Sequence, residues 1–250
     1  MSKPAEIQSA MRNQPWNELW GESDLEHVRS WPVCFGTKRS LLYTDMVDNV
    51  FYCAPGKWTS YSCSDCGSMY LDPRPTKGSI HRAYETYYTH SKQSPKPDYA
   101  TLSPLKKIRR RLVNGYTNWR FSTAAKPASA LGIAVMWLLF PFKLELDHEY
   151  RNLPRKSRGE AALLDVVCGN GTYLEIAKSC GWRVTGIDPD HKCVVHAKNL
   201  GLDVLEGGIE RFENDANRFD AITLNHVIEH VYKPGEVLKA WAVSSLKCTT

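Results

Sequence analysis

Apolar positions in the last ninety residues fall into short blocks separated by glycine and acidic stops. Residues 161–167 (AALLDVV) form an apolar run of strand length, the pattern of a strand covered on both faces. Residues 168–171 (CGNG) interrupt it, and a helix is predicted from Thr172, placed to cap it, through Cys180, with Gly181 as its stop. A second strand is predicted over 182–187 (WRVTGI), ending on Asp188. Asp190 then caps a helix that runs to about Leu200 and stops at Gly201. Residues 203–205 and 219–224 (FDAITL) supply a third and a fourth strand. This alternation predicts an α/β fold with a Rossmann-like parallel sheet over 159–250.

The rest of the chain is patterned differently. Residues 1–30 read as a polar lead-in. Residues 31–75 are rich in cysteine, glycine, proline and aromatics, with strand-like runs at 41–43 and 58–61, and read as a small cysteine-containing module. Residues 76–158 read as a helical connector. Within it Leu105, Ile108 and Leu112 recur at helical spacing while Lys106, Lys107, Arg109, Arg110 and Arg111 crowd the other faces, which predicts a basic surface helix with one packed edge. The uncharged run 127–142 is shorter than the ~20 residues that cross a bilayer, and Pro141 interrupts it. A buried core helix is the expectation. An interfacial segment touching a membrane surface is the alternative, supported by the basic helix before it.

Composition narrows the picture. The 250 residues are 42% hydrophobic and 24% charged, values of a globular chain and not of a disordered or fibrous one. No apolar core marks a secretory signal near the N-terminus, so a cytoplasmic protein is expected, peripheral to the membrane if the interfacial alternative holds. Its eight cysteines are then expected as thiols. The net charge of +5 divides into +9 over residues 1–158 and −4 over 159–250. Two solvated surfaces account for this; so does a basic part facing an anionic partner and an acidic part holding a cationic cofactor. No nucleic-acid partner is expected.

The chemistry concentrates at the strand ends. A strand, a glycine turn and a helix let backbone N–H groups approach a ligand closely. Asp188, at the tip of the second strand, can accept hydrogen bonds from vicinal ribose hydroxyls. A dinucleotide fingerprint would need a third glycine where Leu174 stands. Taken in order, LLDVVCGNG, VTGIDPD, GLDVLEGGIERF, FDAITLNHVIEHV and KPGEVLKA resemble the class I S-adenosylmethionine-dependent methyltransferase family. The resemblance implies an enzyme whose cofactor is S-adenosylmethionine. Asp165, Cys168, Gly169 and Gly171 would hold its methionine part, Asp188 the ribose, and the turn containing Gly208 and Ile209 would lie near the adenine. Asn225 and His226 would face the methyl donor. In similar sugar methyltransferases a Glu-His pair takes part in proton transfer, which makes Glu229 and His230 the candidate general base; a histidine suits that task near neutral pH. The same residues spell H-x-x-E-H, a zinc-peptidase signature, but Glu236 is the sole carboxylate left downstream as a distal ligand.

Cys63 and Cys66 form a C-x₂-C knuckle followed by Gly67, a spacing that lets two thiolates grip one zinc. The segment WPVC, ending in Cys34, looks like the partner knuckle with its first cysteine replaced by Trp31. Cys34, Cys63 and Cys66 are therefore the candidate zinc ligands, with Cys53 a fourth that spacing does not demand. Residues 63–88 resemble the leader of methyltransferases with an N-terminal zinc-ribbon-like module, several of which act on sugars or polysaccharides. A small-molecule or sugar/cell-envelope acceptor, methylated at oxygen or carbon, is the implied substrate.

Three departures from the family temper this expectation. Val167 stands where the family has glycine, and a β-branched side chain resists positive φ. Trp31 replaces a ligand cysteine. The chain stops at Thr250, soon after the fourth strand, where the family continues the sheet, so a core incomplete at its C-terminus is expected. A catalytically impaired homologue with a binding role only is the alternative to an enzyme.

Overall fold

The computed structural model describes residues 14–50, 52–83, 98–155, 159–208, 211 and 218–245. The chain divides into two compact units. One comprises Met1–Thr89 with Tyr232–Gly235, the other His90–Val231 with Glu236–Thr250.

The first unit is built on short antiparallel strands. Strand β1 (Leu25–Glu26) pairs with β5 (Arg74–Pro75), while β2 (Arg39–Met46), β3 (Trp58–Cys63) and β4 (Met69–Leu71) form a sheet in the order β2-β3-β4. The runs expected at 41–43 and 58–61 lie within β2 and β3. The core here is small: Val28, Cys63 and Tyr70 are buried, with Trp31, Cys34 and Tyr61 packed against them. Asp72 supplies a polar tie, accepting the Val28 N–H at 2.9 Å and pairing with Arg39, whose guanidinium lies 3.9 Å from the Tyr61 ring centroid.

The second unit opens with three helices, α1 (Pro104–Phe121), α2 (Leu131–Leu138) and α3 (Phe140–Glu149). The α/β part follows: β6 (Ala162–Val166), α4 (Thr172–Ser179), β7 (Arg183–Asp188), α5 (His191–Asn199), β8 (Val204–Glu206), β9 (Ala221–Leu224) and α6 (Pro234–Ser245). The four strands are parallel in the order β8-β7-β6-β9. Side chains of β6 alternate between two cores, as strand geometry requires. Ala162, Leu164 and Val166 join Ile187 and Phe219 on one face. Leu163 joins Val184, Val204 and the apolar sides of α1, α4 and α5 on the other. The expected parallel α/β sheet is thus present, with each strand within two residues of its expected bounds.

Two expectations for the helical segment fail. Residues 127–142 are not one buried helix: they bend at Leu139 into α2 and α3, and of the eight residues of α2 only Gly132 and Met136 are buried. Helix α1 covers α2 closely along one side, because a Cβ at Gly132 would stand 1.9 Å from the Leu112 carbonyl oxygen and one at Gly115 would stand 1.8 Å from that of Ser129. Elsewhere on α2, Leu131, Trp137 and Leu138 are exposed. Nor is the apolar edge of α1 packed throughout, since Leu105 and Ile108 are exposed and burial begins at Gly115. Among the described residues no helix is long and apolar enough to cross a membrane.

Candidate functional site

The site residues gather at the C-terminal ends of the parallel strands, where open α/β sheets present ligand sites. After β6 the chain turns through Val167 (φ 55°), Gly169 (φ 56°) and Gly171 (φ 83°) into α4. The two glycines serve different ends. A Cβ on Gly171 would stand 2.5 Å from Leu202 Cδ1, so this glycine lets the loop pack on the residues after α5. At Gly169 no atom lies within 4 Å of that position, and the loop there borders open space. Thr172 is not the cap expected of it; Asn170 Oδ1 accepts both the Thr172 N–H at 3.2 Å and its hydroxyl at 2.7 Å. Asp190 does cap α5, accepting the Lys192 N–H at 2.8 Å.

Asp188 ends β7 and is almost wholly buried. Its carboxylate accepts the Gly169 N–H at 2.7 Å and the Asp190 N–H at 2.9 Å, which ties the glycine loop to the second strand tip. Asp165 lies deeper, fully buried, with Oδ1 accepting the Thr223 hydroxyl at 2.7 Å and pairing with Arg151. Its Oδ2 is buried and has no hydrogen-bond partner. Burial pushes the Asp165 carboxyl above the usual range, against the pull of Arg151 and Thr223. Cys168 is turned inward: its Sγ would lie 2.6 Å from a Cβ on Gly186, and burial raises the thiol well above its ordinary value. Only its backbone belongs to the loop surface.

Arg151 was not singled out by the sequence. It stands outside every motif, in the turn after α3, and its guanidinium also lies 3.8 Å from the Tyr173 ring centroid. The one available signal was a buried acid on β6 that required a cation.

Beyond β9, Asn225 and His226 are exposed, and His226 has positive φ (54°). Glu229 pairs with His226, Nδ1 to Oε1 at 3.3 Å, within a short turn of Ile228–His230. The sequence reading joined Glu229 to His230; this ion pair joins it to His226. Gly208 follows β8, whereas Ile209 lies outside the described residues.

In the first unit the Cys34, Cys63 and Cys66 sulfurs lie within 4.8 Å of one another, the only group of three or more potential metal ligands this close among the described residues. Cys34 and Cys63 are 3.4 Å apart. The two knuckles share one turn. Trp31 N–H donates to the Gly36 carbonyl and Cys63 N–H to that of Ser68, both at 2.9 Å. Phe35 N–H donates to Trp31 O at 2.8 Å and Gly67 N–H to Cys63 O at 2.9 Å. Phe35 (φ 61°) and Gly67 (φ 71°) complete the match. Trp31 therefore occupies the position that Cys63 fills in the other knuckle, and its ring stacks on Tyr70 at 4.6 Å. Cys53 is not recruited; its thiol donates to Asp48 at 3.3 Å, and burial followed by Asp48 raises it to about 12. Ser68, through its hydroxyl and amide, lowers the Cys66 thiol to about 7. The Gly36 amide favours the Cys34 thiolate, but the neighbouring thiols and burial outweigh it and raise that thiol to about 11.

Residues 143–244 match the family described as a methyltransferase domain. The mitochondrial ubiquinone biosynthesis O-methyltransferase of Saccharomyces cerevisiae is 36% identical over 90 residues, covering 33% of this chain and 29% of the relative. The ubiquinone biosynthesis O-methyltransferase of Nitrosococcus oceani is 35% identical over 107 residues, covering 40% of this chain and 43% of the relative. The chain thus spans less than half the length of either. A solved S-adenosylmethionine-dependent methyltransferase from Archaeoglobus fulgidus is 20% identical at a TM-score of 0.32, covering 43% of this chain and 47% of that one. Residues 143–244, which carry this parallel strand order and glycine turn, are thus similar to methyltransferase domains.

Proposed function

We propose that this protein transfers the methyl group of S-adenosylmethionine to a hydroxyl oxygen of a small-molecule acceptor. The observation that carries the reading is the tie between the glycine loop and Asp188 at the open end of the parallel sheet. The residues present fit the cofactor: the loop borders open space at Gly169, and buried Asp165 keeps one oxygen unpartnered. When bound, the cofactor supplies an electrophilic methyl group on a sulfonium. Asp188 would receive its ribose hydroxyls, and Asp165, with the Gly169 and Gly171 turn, its methionine part. The Arg151 cation neutralises Asp165 and is suited to the methionine carboxylate.

Glu229 and His230 are the proposed base, accepting the proton of the acceptor hydroxyl as the new bond to carbon forms. His226, paired with Glu229, joins them as a candidate. Oxygen is favoured as the acceptor atom by the names of the relatives, and the zinc-ribbon-like leader favours a sugar or cell-envelope hydroxyl. We also propose that Cys34, Cys63 and Cys66 hold zinc, which would staple a unit whose own core is small.

Titration calorimetry of the full chain tests the cofactor assignment. S-adenosylhomocysteine is expected to bind, and Asp188→Ala to weaken it about tenfold or more, the scale of a lost hydrogen bond to a charged group. Equal affinity for both proteins, or no binding by either, would sink the assignment. Val167 at positive φ in the loop favours a second reading, a domain that binds the cofactor without turnover. Methyl transfer from labelled cofactor to a panel of phenolic and sugar hydroxyls separates the two.

A further inference from the structure

The second unit carries an apolar surface that methyl transfer does not require. Leu105 (80% exposed) and Ile108 (54%) lie on the first two turns of α1. Trp137 (55%), Leu138 (85%), Leu139 (49%) and Phe140 (48%) follow one another where α2 bends into α3. A globular protein rarely leaves four consecutive large apolar side chains about half or more in water without a use for them.

These two groups belong to one interlocked set of helices. The Ser129 N–H donates to the Arg111 carbonyl at 2.9 Å just before α2 begins, and the backbones of α1 and α2 meet at Gly132 and Leu112. The Arg109 guanidinium lies 4.9 Å from the Phe142 ring centroid, which brings the early turns of α1 to the start of α3. Lys143 roots the bend, with Nζ 2.7 Å from the Asp147 carboxylate and 4.8 Å from the Trp137 ring centroid.

Charge selects the partner. Lys106, Lys107, Arg109, Arg110 and Arg111 surround Ile108, and from residue 99 to 144 the chain has eight Lys/Arg and no Asp or Glu. A protein partner suited to the apolar bend alone would not call for this cationic field, and a nucleic acid would have no use for exposed Leu138 and Leu139. A lipid surface uses both, since acyl chains take up the apolar tip, headgroup phosphates meet the cations, and tryptophan is at home at the boundary. Helix α2 has eight residues, about 12 Å of helix, so it can enter the interface but not span the bilayer.

We propose that the bend between α2 and α3, with the first turns of α1, docks the protein on an anionic lipid bilayer. The bend enters the headgroup boundary and the α1 cations hold the phosphates. Docking does not depend on methyl transfer and stands or falls separately from it.

Flotation of the full chain with vesicles tests the proposal, using phosphatidylcholine alone and phosphatidylcholine with roughly a third phosphatidylglycerol, a composition rich enough in charge to engage clustered lysines and arginines. Binding is expected on the anionic vesicles, falling steeply between 0.1 and 0.5 M salt as charges are screened over roughly 10 to under 5 Å. Leu138→Asp with Phe140→Asp should lower the bound fraction about tenfold or more, because an apolar contact is lost and like charge is placed at the surface. Lys106→Glu with Arg109→Glu should lower it by about fivefold or more per site. All four side chains altered are exposed, and matching thermal melts confirm that the variants fold. Several outcomes would overturn the proposal: no flotation, flotation unchanged by either double variant, binding to an RNA oligomer without binding to vesicles, or a concentration-dependent dimer that the aspartate pair dissolves in a protein that does not float.

Discussion

At the scale of single residues, Val167 and Arg151 decide how the glycine loop and the buried acid beside it are held. Val167 adopts a left-handed conformation, 44% exposed, that a β-branched side chain enters at a cost of about 1–2 kcal/mol. The loop keeps this shape because Cys168 N–H is bonded to the Ile187 carbonyl on one side and Gly169 N–H to Asp188 on the other. Val167→Gly is therefore expected to raise stability by about 1 kcal/mol in urea titration and to tighten binding of S-adenosylhomocysteine; a lower midpoint would show that the loop carries no such strain. Arg151 presents the opposite case. Its removal strands a carboxylate with no exposed surface, so Arg151→Met should cost about 3 kcal/mol in the same titration. The double change Arg151→Met with Asp165→Asn should recover much of that loss. Additive losses in the double variant would mean that the two side chains do not depend on each other.

At the scale of elements, the two knuckles are one turn written twice. Their matching hydrogen bonds place Trp31 where a fourth sulfur would sit, and the tryptophan ring fills that place by stacking on Tyr70. Trp31→Cys is expected to tighten zinc binding by at least about tenfold in competition with a chromophoric chelator, since four thiolates complete a closed tetrahedral site. Unchanged affinity would mean that the shared turn does not bring residue 31 to the metal. The metal-free thiols should also differ in reactivity. A thiol lowered to about 7 is mostly thiolate above that pH, so iodoacetamide at pH 8 should label Cys66 well ahead of Cys34, held at about 11, and Cys53, held at about 12. Equal labelling of the three would contradict this ordering, and bound zinc should suppress the Cys66 reaction. The knuckle spacing was readable in CSDCG. The equivalence of WPVCFG to it was only suggested there, because a turn defined by backbone hydrogen bonds leaves few side-chain marks.

At the scale of the whole molecule, the chain comprises two units with different means of stability. The larger has a sheet with a core on each face. The smaller has a core cluster of Val28, Cys63 and Tyr70, with Cys63 also in the cysteine cluster. The sequence by itself determined the parallel α/β class, the order of strands and helices around the glycine loop, the acids Asp165 and Asp188 at the ends of their strands, and the triplet of cysteines. Each of these is written in local signals: runs of apolar residues, glycine where the backbone turns sharply, an acid at a strand tip, fixed cysteine spacing. Tertiary structure alone decided that Arg151 pairs with Asp165, that Cys168 turns inward, and that the run 127–142 bends and leaves Trp137, Leu138, Leu139 and Phe140 exposed. The reason is physical. Periodicity says which side chains share a face, but which face is covered, and by which distant partner, is settled only when the elements pack.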